Sequence, residues 1–278
     1  MKKVEKILVP IDFSAHSINA LRYALHFADK FKAKLYCLHI VKQDFGPVAY
    51  PIMPAPLIVR TTDIASERLN ALVAAERGEG FKHIFSIKTE IAIGLTTALI
   101  VEKACEKEVD VIIMGTRQRH DVVDRLLGTA TSYAIKNGKC PVLIVPEKFK
   151  KTEVKSIGYA TDLTTSDPFH IWELAKVFSV FKATLSICHI KTDNQAKTAL
   201  KVKDLKDFFE EKSTMLPVKF YQDKTDSVEE GLDDFLFVFD IDLLVMHPPK
   251  RTFFENLFHH SVTHEITFMS EAPVLILT

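Results

Sequence analysis

The chain has 278 residues, of which 47% are hydrophobic, enough for a buried core and too many for a disordered chain. Its 36 Lys and Arg balance 36 Asp and Glu, so the overall charge does not indicate binding to nucleic acid or to an anionic membrane. The first residues do not have the pattern of a signal peptide, and no stretch reaches the ~18 apolar residues of a membrane span. We therefore expect a cytoplasmic protein with neither nucleic acid nor membrane as a partner.

Short apolar segments alternate with amphipathic segments along the first half of the chain. Strands are predicted at ILVPI, KLYCLHIV, FSIKTEIA, DVIIMG and PVLIVP. In the first helix between them, Ile18, Leu21, Leu25 and Ala28 recur at steps of three and four residues, and Ser14 is the expected N-cap. Nearly all-apolar strands that alternate with helices predict a parallel sheet with helices on both faces.

The second half of the chain repeats the pattern of the first half. KILVPIDFS at 6–14 matches SIGYATDLT at 156–164, 150 residues later, and pairs Asp12 with Asp162. PVLIVP at 141 matches PVLILT at 273, only 132 residues later, so the second copy is 18 residues shorter. A Pro-rich stretch at 43–60 accounts for this difference and is predicted to be an inserted loop. We predict two α/β domains, 1–147 and 153–278, each with a five-stranded parallel sheet.

Polar residues and glycines follow two of the predicted strands in the first copy. An open α/β sheet binds ligands outside the carboxyl ends of its strands, where Asp12 and Gly115 lie. Further along, Gly128-Thr129-Ala130-Thr131 opens a predicted helix, and a helix N-terminus offers unpaired N–H groups that suit phosphate. Arg117 adds positive charge, and Asp12 can accept hydrogen bonds from a base or a ribose. The alternative is an ordinary turn glycine and an ordinary threonine cap.

The sequence resembles the universal stress proteins in their tandem two-domain form. The matching segments are VPID at 9–12, HIV at 39–41, MGTRQ followed after nine residues by GT, and CPVLIV at 140–145. The resemblance implies flavodoxin-like or adenine-nucleotide α-hydrolase-like domains that dimerise, and some members of the family bind ATP, which Mg²⁺ can accompany. It places Pro10, Ile11, Asp12 and Val41 at the base and ribose, and Met114, Gly115, Arg117, Gly128, Thr129, Ala130 and Thr131 at the ribose and phosphates. Gln118 departs from this pattern, because it stands where the family has its second glycine.

The second copy departs further from the family pattern. His247 replaces the first glycine, two prolines follow it, and His260-Ser261 replaces the later Gly-Thr. Proline removes N–H donors and fixes the backbone, so we expect no ATP in the second domain. In the family, the last strand of each domain pairs antiparallel with that of its dimer partner. The two copies here are therefore expected to pair with each other as an internal pseudo-dimer. A homo-oligomer, in which two chains assemble four domains, is the other arrangement that the resemblance implies.

Three hypotheses for function remain open from the sequence. The first is a stress-response protein that binds ATP through the first domain and at most hydrolyses it slowly. The second is an interaction or scaffold protein without nucleotide, in which Gln118 and the stretch 43–60 block the pocket. The third is an enzyme, which no hydrolase or ligase signature favours. Four histidines of the second copy raise the question of a metal site, but no HExxH motif or third carboxylate ligand accompanies them, so we predict capping or surface residues and no metal: His247, His259, His260 and His264.

Overall fold

The structure is a computed structural model that describes residues 3–42, 55–78, 80–116, 128–192, 198, 200–212, 215–247 and 272–277. Its strands are β1 Lys6–Ile11, β2 Lys34–Val41, β3 Ser86–Ile93, β4 Val111–Thr116, β5 Val142–Pro146, β6 Ser156–Ala160, β7 Thr184–Lys191, β8 Val218–Lys224, β9 Leu243–Met246 and β10 Val274–Ile276. Its helices are α1 Ala15–Phe31, α2 Ala55–Arg77, α3 Thr96–Glu106, α4 Thr129–Asn137, α5 Asp167–Phe178, α6 Val202–Glu211 and α7 Val228–Val238, and a 3-10 turn follows α5 at Ser179–Phe181.

The described strands form one ten-stranded sheet in the order β3-β2-β1-β4-β5-β10-β9-β6-β7-β8. Each half contributes five parallel strands, which confirms the predicted α/β fold class. The halves join where β5 and β10 pair antiparallel, with Leu143 opposite Leu275. Both leucines are fully buried, so the pairing covers an apolar edge that each half would otherwise expose.

Helices cover both faces of the sheet, and each face has its own hydrophobic core. Side chains of α1, α2, α5 and α6 belong to one core, and those of α3, α4 and α7 belong to the other. Successive residues of β1 alternate between the two, since Ile7 and Val9 enter the first core and Leu8 enters the second. This two-sided burial explains why the central strands β1, β4, β5, β9 and β10 are apolar at nearly every position.

The duplication seen in the sequence extends to unusual backbone conformations. Left-handed φ values at residues other than glycine are uncommon, because Cβ crowds the backbone there. Three pairs of such residues occupy equivalent places in the two halves: Phe13 and Leu163, Lys32 and Lys182, and Glu108 and Asp240. The two halves therefore share their turns as well as their strands.

A second repeated feature ties the start of each half to its fourth strand. Asp110 accepts hydrogen bonds from the backbone N–H groups of Glu5 and Lys6, both at 2.9 Å. Asp242 does the same for the N–H groups of Lys155 and Ser156, at 2.8 and 3.1 Å. Each carboxylate thus satisfies donors at the beginning of a central strand, where the sheet ladder has not yet formed.

The predicted loop at 43–60 is too long at its carboxyl end, because α2 already begins at Ala55. Pro56 lies in the first turn of this helix, where a missing N–H breaks no helical hydrogen bond. Proline therefore marks the start of a helix here, whereas the sequence suggested a continuing loop. Residues 43–54 lie outside the described residues.

Aromatic side chains connect α1 with the second half on one face of the sheet. The ring of Phe27 lies 6.1 Å from that of Phe178, and the ring of Phe31 lies 5.4 Å from that of Phe181. These contacts add apolar burial to the β5–β10 pairing. The two halves are therefore held together by a helical contact as well as by the sheet.

Two further features of the described chain concern the membrane and the thiols. Over the part of the chain that the structure describes, none of the helices has the length and apolar character needed to cross a membrane. All four cysteines are free thiols, and Cys37, Cys140 and Cys188 are buried while Cys105 is exposed.

Candidate functional site

The strand order reverses between β1 and β4, which are neighbours in the first half of the sheet. The helix after β1 packs on one face of the sheet, and the helix after β4 packs on the other. The two connections therefore diverge and leave a crevice at the carboxyl ends of these strands. The residues predicted at a ligand come from this edge of the sheet.

Asp12 follows β1 and lies in a turn held by two serines. Its carboxylate accepts hydrogen bonds from the backbone N–H of Ser14, at 3.0 Å, and from the Ser14 hydroxyl. Ser14 is the N-cap of α1, as the sequence predicted, and accepts from the N–H of Ser17. The Ser17 hydroxyl lies within 3.3 Å of the Asp12 N–H and donates to the Ser14 carbonyl oxygen. The turn thus fixes the direction of the Asp12 side chain.

The Asp12 carboxylate is both ionised and accessible. Partial burial raises its pKa, but the hydrogen bonds from Ser14 and Ser17 and the nearby His16 outweigh that effect and leave the pKa lowered. The side chain keeps 59% of its surface exposed, and one carboxylate oxygen lies 3.6 Å from the His16 ring. Asp12 can therefore accept hydrogen bonds from a ligand while the serines hold it in place.

Gly115 near the end of β4 is required by the packing of α1. A Cβ at this position would lie 2.1 Å from the His16 carbonyl oxygen and 2.5 Å from its carbon. These are backbone atoms in the first turn of α1, which cannot rotate away as a side chain can. The structure thus brings Gly115 and the Asp12 turn together, and it gives Gly115 a structural role that the sequence pattern did not show.

Gly128 differs from Gly115 because no described atom lies within 4 Å of the position that its Cβ would take. Its φ of −54° is open to any residue, so neither its conformation nor its described neighbours require glycine. Gly128 is the N-cap of α4 and has no side chain with which to cap the helix. Gly128 and Thr129 are exposed, and Ala130 is half-buried. The first N–H groups of α4 have no partner within the helix and are free to bind an anion.

The other predicted residues have different degrees of exposure. Pro10 and Val41 are half-exposed at the carboxyl ends of β1 and β2. Ile11, Met114 and Thr131 are buried, with 2%, 6% and 4% of their surfaces exposed. A ligand at this edge would therefore contact the two apolar residues mainly through their backbone. Arg117 and Gln118 lie outside the described residues.

Arg68 was missed by the sequence analysis. Its guanidinium lies 4.1 Å from the centroid of the Phe13 ring. His39 on β2 contacts the same Phe13 ring, with 4.6 Å between the two ring centroids. The His39 Nδ1 also bonds the Ile11 carbonyl oxygen at 2.7 Å. These side chains place a cation next to the Asp12 turn, and nothing in the spacing of α2 distinguishes Arg68 from other surface residues of that helix.

The histidines of the second half form no metal site in the region that the structure describes, where no three His, Cys, Asp or Glu side chains are arranged to hold a metal ion. His247 follows β9, and its ring lies 4.6 Å from the ring of His170. The other histidines considered as metal ligands, His259, His260 and His264, lie outside the described residues.

Comparisons with known proteins agree with this architecture. The model of the universal stress protein family matches residues 3–146. A universal stress protein of Methanocaldococcus jannaschii is 29% identical over 155 residues, which cover 53% of this chain and 85% of that protein. A second from the same organism is 29% identical over 157 residues, covering 52% of this chain and 96% of that protein.

Solved structures of other proteins resemble this chain over nearly its whole length. A universal stress protein from Archaeoglobus fulgidus aligns over 98% of both chains with a TM-score of 0.71 and 16% identity, which supports the fold alone. Because the family model matches just over half of the residues, and the described strands of the second half repeat those of the first, the chain belongs to the universal stress protein family.

Proposed function

We propose that this chain is a cytoplasmic stress-response protein that binds ATP, accompanied by Mg²⁺, through its first half. The base and ribose would lie at the carboxyl ends of β1 and β2, beside Pro10, Asp12 and Val41. The triphosphate would bind the N-terminus of α4, with Arg117 adding positive charge. Nucleotide binding would act by changing the conformation of the protein or its binding to a partner, and ATP hydrolysis would be slow.

The contrast between the two glycines carries this proposal. Gly115 is explained by the backbone of α1, which a Cβ would meet at 2.1 Å. No described atom lies within 4 Å of a Cβ at Gly128, so its described surroundings leave the choice of glycine unexplained. A phosphate group that approaches the N-cap of α4 would supply the missing reason, because it must come close to the backbone N–H groups.

We further propose that the second half, residues 153–278, acts as an internal pseudo-dimer partner without ATP for the first, residues 1–147. The antiparallel pairing of β5 with β10 supports this role, because it covers the last strand of each half. The sequence places His260-Ser261 where the first half has Gly128-Thr129. The sequence thus replaces a glycine, which lets a phosphate come close to the backbone, with a residue that carries a bulky imidazole.

A charge reversal at Gly128 tests the proposal. Gly128→Asp should keep the fold, because Asp is a favourable N-cap and its Cβ meets no described atom. It should abolish the rise in Tm that millimolar Mg-ATP gives to the wild-type protein, because the carboxylate repels the phosphates. Gly128→Asn is the matched control, with the same shape and no charge, and should retain part of the ATP response.

The alternative function, a scaffold protein without nucleotide, makes a different prediction. In that case Mg-ATP leaves the Tm of the wild-type protein unchanged, and the purified protein releases no adenine nucleotide when heated. An ATP response that survives in Gly128→Asp would instead place the nucleotide away from α4. Either result would reject the proposed site.

A further inference from the structure

The second half replaces apolar residues with polar ones next to its own strand reversal, between β6 and β9. Tyr159 on β6 stands where the first half has Val9, and His170 on α5 stands where it has Ala20. Tyr159 is fully buried, and none of the described residues bonds its hydroxyl. The Nδ1 of His170 is also buried and has no partner within the described part of the chain. Unpaired buried polar atoms destabilise a core, so these replacements require an explanation beyond packing.

His247 changes the packing of the helix above this region. It occupies the position of Gly115, where a glycine lets the backbone of α1 approach β4. In the second half the ring of His247 contacts the ring of His170 at 4.6 Å. The helix α5 begins at Asp167, two residues later than the equivalent of Ala15, the first residue of α1. The helix of the second half thus starts two residues later, on the side of the sheet where a histidine replaces the packing glycine.

Asp162 does not accept the hydrogen bonds of the turn that its equivalent Asp12 accepts in the first half. There, Asp12 accepts the hydrogen bonds of the turn after β1. Here, Asp167 accepts them, from the backbone N–H and the hydroxyl of Thr164, both at 2.8 Å, and from the hydroxyl of Thr161. Among the described residues, no hydrogen bond or ion pair involves the half-buried carboxylate of Asp162. Its carboxylate oxygens can accept hydrogen bonds, and no described side chain or backbone N–H donates to them.

His189 provides a second acceptor next to Asp162. Its ring is 1% exposed, and its Nδ1 lies 2.8 Å from the Thr161 carbonyl oxygen. A carbonyl only accepts, so Nδ1 carries the proton, and Nε2 of the neutral ring is an acceptor. That Nε2 has no partner among the described residues. The His189 ring is bound to the carbonyl oxygen of Thr161, the residue directly before Asp162, so the two acceptors belong to the same turn after β6. Burial raises the pKa of Asp162, and Asp167 raises it further.

We propose that this polar cluster, formed by Tyr159, Asp162, His170, His189 and His247, binds a small organic cation with an ammonium group. The N–H groups of such a ligand would supply the donors that Asp162 and His189 lack, and its charge would compensate a carboxylate that no described Lys or Arg pairs with. The described side chains are not arranged to hold a metal ion, which favours an organic cation. The proposal is independent of the ATP site in the first half.

Calorimetric titration of the full chain with 1,4-diaminobutane tests the proposal, with 1,4-butanediol as the neutral analogue. The diamine should bind saturably and the diol should not. Asp162→Asn should weaken diamine binding at least about tenfold, because it removes a hydrogen bond to a charged group. It should fold normally, since the Asp162 carboxylate makes no described hydrogen bond. Asp226→Asn, which changes an exposed carboxylate in the same half, should leave the affinity unchanged.

Tyr159→Phe provides a second variant that keeps the aromatic ring and removes only the hydroxyl. It should weaken diamine binding while leaving any ATP binding intact, which separates this site from the one in the first half. No saturable heat with the diamine, equal heats with diamine and diol, or wild-type affinity in Asp162→Asn would each overturn the proposal. Saturable binding of Zn²⁺ that is lost in His170→Ala would replace the organic cation with a metal.

Discussion

Adding a single methyl group at Gly115 should destabilise the first half, because the space is occupied by the backbone of α1. In Gly115→Ala, the new Cβ would lie 2.1 Å from the His16 carbonyl oxygen and 3.1 Å from the Ser17 backbone nitrogen. Ordinary carbon–oxygen contacts are about 1 Å longer than the shorter of these distances, so the first turn of α1 must move by about that amount. Overpacking typically costs 1–3 kcal/mol, and we expect about 3 kcal/mol here because neither neighbour is a flexible side chain.

A loss of this size should lower the Tm by about 6–12 °C, which differential scanning calorimetry resolves easily. Gly128→Ala is the control, because its Cβ meets no described atom; its free energy of unfolding should fall by only about 0.5–1 kcal/mol, since alanine is a poorer N-cap than glycine. The shift of α1 should also disturb the Asp12 turn and weaken ATP binding. If Gly115→Ala and Gly128→Ala unfold at the same temperature, the packing explanation for Gly115 is wrong.

Three further predictions concern the carboxylates, the contact between the halves and the segment after β5. Asp12 has a lowered pKa, so its contribution to stability is present above its unfolded pKa and is lost as the pH falls through its folded pKa. Asp162 has a raised pKa, so its charge destabilises the fold as the pH rises through that value. Urea unfolding near neutral pH should therefore show Asp12→Asn less stable and Asp162→Asn more stable than the wild type, and equal effects would contradict the assigned environments. Leu275→Ala should cost about 2–5 kcal/mol, because the side chain is fully buried between the halves, whereas an unchanged urea midpoint would show that the β5–β10 pairing adds little stability. Asn19→Ala should cost about 1–3 kcal/mol, because its amide nitrogen donates to two backbone carbonyl oxygens at 2.8 and 2.9 Å, and a neutral effect would mean that water replaces it there.

The sequence was sufficient to predict most of the fold, because its main signals are local. Short runs of consecutive residues are enough to recognise the apolar strands, the serine cap of α1 and the duplicated segments. The start of α2 was wrong because proline favours both loops and first helical turns. The contact of Phe27 with Phe178 was not predictable, since it joins residues about 150 positions apart that no motif connects.

The candidate site shows where sequence patterns lose information. Asp12 and Asp162 are aligned and chemically identical, yet one is held by serines and the other has lost those partners to Asp167. Likewise, the sequence shows two glycines in the first half without showing which of them the protein backbone requires. These differences arise from three-dimensional neighbours, so only the structure separates a packing glycine from a candidate ligand-binding one.

Calorimetric titration of the wild-type chain with Mg-ATP tests the central claim most directly, because the number of sites reports the asymmetry between the halves. The account predicts one ATP per chain, with binding abolished in Gly128→Asp. Two ATP molecules per chain would show that the second half has kept its phosphate site, and no binding at all would show that the first half has lost it too.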